Sequence, residues 1–316
     1  MDEMSLSPAE EETVRGARLA VFEQRLILQT QPPIEQRVLN ELTARFGAAL
    51  PADLVALWRT SFGGTLAYDL RLDFEGRDTS FSWTELFYPD SDDYHDLWGW
   101  IEHEEGLARE AAEERGERWT GRLIVLPFGG FEYLDRVYAQ VATGAHHGSV
   151  VAWMQGLPPA WTSYLDHDAV TRVAESVRGA FRLLNLEADP TQDSDSTGAR
   201  MLDALEGLEK CGAHGRSAAE KLRAMVLSTV LDWRSALRDG TLAGLRPLRR
   251  LAMEHAARTD DAALLIELAA LGCDLSEMLR GGCNALDHAL GAGALGAARL
   301  LLDRGVPAHP MAAGCA

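Results

Sequence analysis

The sequence predicts an α+β fold, an antiparallel sheet packed with helices, followed by an all-α repeat domain. Three stretches carry this prediction. Arg122 to Trp153 reads as three consecutive strands. Two amphipathic helices, around Val38–Phe46 and Leu54–Trp58, precede it. The last third of the chain is rich in Ala, Leu and Gly and recurs at a fixed spacing.

The strand-rich stretch opens with Leu123-Ile124-Val125-Leu126, a short apolar run closed by Pro127 and Gly129-Gly130. Phe131 to Val141 then alternates, with Phe131, Tyr133, Val137, Ala139 and Val141 on one side and Glu132, Arg136 and Gln140 on the other. Thr143 to Gly148 has turn chemistry, and Ser149 to Trp153 is β-branched and apolar again. Period-two alternation between glycine clusters predicts an antiparallel sheet buried on one face.

Residues 1–12 are expected to fray. Glu12 to Gln29 reads as a helix, with Val14, Ala17, Val21 and Leu28 at helical spacing, Phe22 and Leu26 widening the face, and Pro32-Pro33 stopping it. Val38, Leu39, Leu42 and Phe46 stripe a second helix that Gly47 ends. Pro51 opens a third, whose apolar side is Leu54, Val55, Leu57 and Trp58 and which Gly63-Gly64 terminate. Leu66, Tyr68, Leu70 and Leu72 alternate as in a half-buried strand; 73–78 is a turn and 79–83 begins another strand. After the three strands come a Pro158-Pro159 turn, Trp161 and a helix from Asp168 to about Leu184, marked by Val170, Val173, Val177, Phe181 and Leu184.

Hydrophobic content of 47% with 25% charged residues places the chain among folded proteins. Its 316 residues suffice for two domains. The polar segment Glu187–Ala199, free of large apolar residues, divides them, so we expect domains at 13–186 and 200–310 joined by a 187–199 linker. The formal charge is −18. Residues 1–186 hold 30 acids against 16 arginines, net −14, and the rest 18 against 14, net −4, so the acidity belongs to the first domain. Such a chain is a poor match for nucleic acid, which is bound by neutralising phosphates with Lys and Arg. It complements a basic protein partner, although acidity also serves solubility alone. Met1–Glu12 lacks the basic and apolar regions of an export signal, and no apolar run reaches membrane-spanning length, so no membrane association is expected. Cys211, Cys273, Cys283 and Cys315 form no Cys-x-x-Cys pair; free thiols in a reducing cytoplasm are expected, with Cys273 and Cys283 as small core residues.

Within the second domain, Gly272 and Gly305 lie 33 residues apart, and around them MEHAARTDDAALLIELAALGCD aligns with LDHALGAGALGAARLLLDRGVP. Met253 falls on Leu286, His255 on His288, Ala256 on Ala289 and Leu268 on Leu301. That period and the small-residue first helix resemble the ankyrin repeat. The copy from Gly282 to Val306 matches well, but reads Asn284-Ala285-Leu286-Asp287 where the family has Thr-Pro-Leu-His. The copy from about Pro247 to Asp274 places Asp260 where the central glycine belongs.

The first domain resembles the SUKH superfamily, related to yeast cell-wall synthesis regulators and common among bacterial immunity proteins. The resemblance rests on Ile34–Thr65 (IEQRVLNELTARFGAALPADLVALWRTSFGGT), Leu123–Tyr138 (LIVLPFGGFEYLDRVY) and Gly148–Trp153 (GSVVAW), and spans about Ile34 to Leu184. Phe62-Gly63-Gly64 stands where the family has Asn-Gly-Gly, and the turn before the second strand is shortened to Phe128-Gly129-Gly130. The resemblance implies a non-enzymatic domain that binds and blocks a cognate toxin.

The most acidic segment, Pro89 to Arg118, supplies the candidate partner-binding residues: Asp92, Asp93, Asp96, Trp98, Trp100, Glu102, Glu104 and Glu105. Tryptophans ringed by carboxylates suit an interface; the other reading puts both tryptophans in the core of a solvated helix whose stripe is Leu97, Ile101, Ala108 and Ala111. Glu105–Arg109 and Glu114–Arg118 are spaced to support that helix. His146-His147 project apart and lack a third ligand, so no metal is expected, and no cofactor motif or Gly-x-Ser-x-Gly elbow occurs. Glu132 and Asp135 fall on opposite faces of the predicted strand and cannot work as an acid–base pair. The expectation is a cytoplasmic, non-catalytic immunity protein that occludes a basic toxin, nuclease-like or nucleotide-modifying. The alternative is an adaptor tethering endogenous proteins.

Overall fold

The computed structural model describes residues 5–74, 77–89, 91, 96–119, 121–132, 134–154, 170–279 and 282–309. Helices and an antiparallel sheet make an α+β chain. It divides into two compact units, residues 1–70 with 81–230, and residues 71–80 with 231–316.

The first unit opens with α1 (Pro8–Gly16), where fraying was expected. Ser7 caps it, and Glu10 reaches back to the Ser7 amide, completing a capping box. The single helix expected over 12–29 does not form. The chain leaves α1 at Ala17 and returns as a hairpin, β1 (Ala20–Phe22) and β2 (Arg25–Ile27). Its two-residue turn, Glu23-Gln24, takes φ of 50° and 57°, the left-handed pair that matches strand twist. Tertiary contacts fix this turn. The buried Arg25 guanidinium donates to the Leu184 carbonyl and, at 2.9 Å, to that of Arg182.

Helices α2 (Gln36–Phe46) and α3 (Ala52–Thr60) form where expected. Gly47, at φ 66°, closes α2, which buries Val38, Leu42 and Phe46. Then come β3 (Gly64–Thr65), the hairpin β4 (Arg71–Phe74) and β5 (Arg77–Ser80), β6 (Glu85–Leu86) and the long helix α4 (Leu97–Glu114). The strand expected from Leu66 does not run on to Leu72. The Leu66 amide donates to Thr84 and Asp69 bridges Asn185, so 66–70 stays with the first unit while β4–β5 belongs to the second.

Strands β7 (Val125–Phe131), β8 (Asp135–Gln140), β9 (Val150–Met154) and β10 (Val170–Ala174) complete a six-stranded sheet, ordered β10-β9-β8-β7-β6-β3 and antiparallel throughout. Pro127 and the glycines do not end β7. The strand bulges between Pro127 and Gly129 and continues to Phe131. Gly129 is required there, because a Cβ would lie 2.5 Å from the Glu85 carbonyl of the neighbouring strand. Strand β8 therefore starts at Asp135, and Glu132, at φ 45°, sits in the turn rather than on a strand.

The sheet is covered on both sides rather than one. Nearly every residue of β7, β8 and β9 is buried. Beyond it, a helix from Asp168 was expected; Val170, Thr171, Arg172 and Ala174 instead pair with β9 as β10, which bulges at Val173, and the Ser176 hydroxyl accepts from the Gly179 amide to start α5 (Val177–Arg182).

Residues 187–199 are not where the units part. Asp69 accepts from the Glu187 amide (2.9 Å) and the Thr197 hydroxyl (2.8 Å), tying the segment into the first unit. Helices α6 (Ala199–Glu209) and α7 (Ala213–Leu227) follow in that unit, burying Met201, Leu205, Leu222 and Val226. Glu10 of α1 holds α7 through Lys221 at 2.7 Å and the Ser217 hydroxyl at 2.6 Å.

The second unit comprises the β4–β5 hairpin and helices α8 (Trp233–Arg238), α9 (Arg246–Arg258), α10 (Ala262–Ala270), α11 (Ala285–Gly291) and α12 (Leu295–Asp303). Arg71 on the hairpin meets Glu254 of α9 at 3.3 Å, and Asp73 meets Arg246 at 3.4 Å. The 33-residue recurrence is structural: Met253 and Leu286, Ala256 and Ala289, and Leu268 and Leu301 are each fully buried in one core. Cys211 and Cys273 are free, whereas Cys283 is disulfide-bonded rather than the free thiol expected. No helix among the described residues is long and apolar enough to cross a membrane.

Candidate functional site

Helix α4 carries most of the expected partner-binding residues, and its geometry splits them into three groups. Asp92 and Asp93 lie outside the described residues. Asp96 is the N-cap of the helix, accepting from the amides of Trp98 (3.3 Å) and Gly99 (2.9 Å). Its carboxylate is committed to the helix end.

Trp100 and Glu104 are in the core and cannot form part of an exposed patch. They lie one turn apart on the side of α4 that covers the sheet. There, Arg136 and Tyr138 of β8 share a face by strand alternation, opposite Trp153 and Val151 of β9. The Arg136 guanidinium sits 4.7 Å from the Trp100 ring centroid and 4.2 Å from that of Trp153. It meets Glu104 at 3.1 Å and donates to the Tyr138 hydroxyl, which donates to Glu104 at 2.8 Å. Burial pushes the Glu104 carboxyl up, against the pull of Arg136, and pushes the Tyr138 phenol up further. Trp100 also stacks on Phe87, with centroids 5.5 Å apart.

A third group remains outside. Glu102 is exposed. Glu105 and Trp98 are half-buried around Arg45 of α2, which makes a bidentate contact with Glu105 at 2.8 Å and lies 5.6 Å from the Trp98 ring. Glu105 therefore pairs across helices instead of with Arg109, whose guanidinium lies 5.4 Å from the Trp119 ring. The helix ends before Arg118, so the expected Glu114–Arg118 helical pair does not arise.

The exposed charge of α4 continues to its C-terminus through Glu110, Glu113 and Glu114, with Glu117 just beyond. No basic residue occupies the last turn. Carboxylates at this end face the negative pole of the helix dipole, an arrangement that costs roughly 0.3–1 kcal/mol per charge at exposed sites. The glutamates thus make a solvated acidic face that helix stability does not explain.

Among the described residues no three His, Cys, Asp or Glu side chains converge to hold a metal. His147 Nδ1 contacts the Val141 carbonyl at 3.3 Å and the His146 ring contacts Arg172 at 2.9 Å. Asp135 is buried, its carboxyl raised to about 6 by desolvation, and it accepts from the Ser82 amide at 2.7 Å; Glu132 has no place beside it on the strand.

Sequence patterns did not single out Arg45, Arg136 or Tyr138. Arg136 carried a signal, being the one basic residue in the central strand pattern, but a charge at an alternating position reads as solvent-facing until its partner is known. The chain matches no family model, no curated protein and no solved structure.

Proposed function

We propose that this chain is a binding protein that neutralises a toxin by stoichiometric occlusion, presenting the acidic face of α4 to a basic surface. The observation that carries this reading is the run of exposed glutamates, Glu102, Glu110, Glu113 and Glu114, the last three of them toward the negative end of the helix dipole, where the base at the C-cap, Arg115, pairs with Glu117. Charge of one sign on a rigid helix steers an oppositely charged partner and raises its association rate.

The motif resemblance to the SUKH superfamily in the first unit supports the immunity reading. The ankyrin-like recurrence in the second adds another fold commonly used for binding. A non-catalytic role in the cytoplasm, with a nuclease-like or nucleotide-modifying toxin as partner, completes the proposal. Co-expression with the product of the adjacent toxin gene tests it: survival and a recoverable one-to-one complex are expected. Continued killing with no complex recovered would overturn it, and recovery of several host proteins without a toxin would favour the adaptor role.

A further inference from the structure

An electropositive cleft in the first unit contrasts with the acidity of the chain. It occupies about 730 Å³ between α1, the outer side of the β1–β2 hairpin, the Pro32-Pro33 segment and the end of α3. Arg15, Arg18 and Arg59 line it, with Glu11 as the one acidic residue among the described lining residues, in a protein of net charge −18. Arg15 and Arg59 are exposed and have no ion-pair partner among the described residues. Arg18 takes a left-handed φ of 57°, and its guanidinium lies 3.4 Å from the carbonyls of Gln29 and Thr30.

The same cleft exposes unpaired backbone. In the β1–β2 hairpin, Val21 lies opposite Leu26, and the Leu26 amide donates to the Tyr68 hydroxyl at 2.7 Å. Leu26 therefore points its backbone groups away from β1, which makes 21–26 a non-hydrogen-bonded pair. Antiparallel alternation then turns the Val21 N–H and C=O outward, to the free edge of β1. That edge lies in the cleft wall, and among the described residues this two-stranded sheet has no third strand beyond β1. A free donor and acceptor on one residue, beside arginines without partners, match an extended chain bearing carboxylates.

We propose that this cleft binds an extended acidic segment of a partner protein, added as a strand on the free edge of β1 at Val21 with its carboxylates on Arg15 and Arg59. Main-chain bonds supply docking and the arginines supply selectivity for acidic side chains. The proposal stands independently of α4, whose face has the opposite charge.

The probe is a short fluorescein-labelled peptide alternating glutamate and valine, titrated against the full chain by anisotropy. Matched peptides carry glutamine for glutamate, or N-methylated valines. Saturable binding is expected, weakened about tenfold or more by either peptide change or by Arg15→Glu with Arg59→Glu. Both arginines are exposed, so an unchanged circular dichroism spectrum will confirm that the variant is folded. Hydrogen exchange at the Val21 amide should slow on binding. Equal affinity for the glutamine peptide, or an unaltered affinity in the arginine variant, would overturn the charge match. Equal affinity for the N-methylated peptide with no Val21 protection would overturn strand addition. Displacement of the glutamate peptide by inorganic pyrophosphate, with Val21 unprotected, would reduce the cleft to a simple anion site and likewise overturn the proposal.

Discussion

Glu104 of α4 and Arg136 of β8 meet at 3.1 Å beneath the acidic helix, both almost wholly out of solvent. Two tryptophan rings flank the guanidinium and Tyr138 bridges the pair. A buried pair of this kind contributes little net stability, because desolvation offsets its Coulomb attraction, yet removing one partner strands the other. Arg136→Met is therefore expected to cost about 3–5 kcal/mol, and the double variant Arg136→Met with Glu104→Gln distinctly less. Urea unfolding checks this. A single variant within about 1 kcal/mol of the parent would show that the remaining Glu104 is not left as a stranded charge, being either protonated or reached by water.

Glu10 gives the first unit an acid-sensitive joint between α1 and α7. Hydrogen bonds from Lys221, then Ser217, then the Ser7 amide hold its carboxyl at about 2, below the ordinary 4.5. A depressed carboxyl stabilises the folded state fully above its unfolded value, and that contribution is lost as pH falls through the folded one. Acid titration of the parent should therefore show a loss of stability between pH 4.5 and about 2 that Glu10→Gln lacks. Identical acid profiles for the two proteins would remove Glu10 from the joint.

Asp260 and Gly293 occupy equivalent turns 33 residues apart, at φ 58° and 69°. Asp260 does more than fill the turn: its carboxylate accepts from the Ala297 amide at 2.6 Å, capping the start of α12, and the adjacent Gly296 leaves room for it. Asp260→Gly should keep the turn and lose the cap, costing about 1 kcal/mol. Asp260→Ala should cost roughly 1 kcal/mol more, since alanine also resists the left-handed φ. Thermal unfolding of the full chain ranks them, and equal midpoints would deny the turn its strain.

The same position shows how far sequence reading reached. The recurrence was visible because Met253 and Leu286, or Leu268 and Leu301, must face one core in both copies. Helices α2 and α3 were visible because their stripes and glycine stops are local. The hairpin at Ala20–Ile27 was not, because Val21, Phe22 and Leu26 fit a helical stripe as well as paired strands. Only the left-handed Glu23-Gln24 turn and the distant Leu184 carbonyl decide between them. The acidic segment was legible as a helix, but not its sides: Glu102 and Glu104 differ in fate because Arg136 waits under one and solvent under the other. The boundary near residue 200 misled because composition records polarity, not which helices Glu10 holds.

That division of α4 sharpens the test of its acidic face. Reversing Glu104 would unfold the core beneath it rather than probe an interface, so the informative set is Glu102, Glu110 and Glu113, all exposed. Changing these three to Lys should leave urea stability unchanged or raised, since two of them lie toward the negative helix end. Association with a basic toxin should slow about tenfold or more at low salt, and the difference should shrink as salt screens it over roughly 8–10 Å near physiological strength. Dissociation should change less, because steering acts on encounter rather than on the formed contact. Stopped-flow mixing across a salt series separates the two rates. An on-rate indifferent to the three reversals would take α4 out of the interface, whatever the rest of the chain binds.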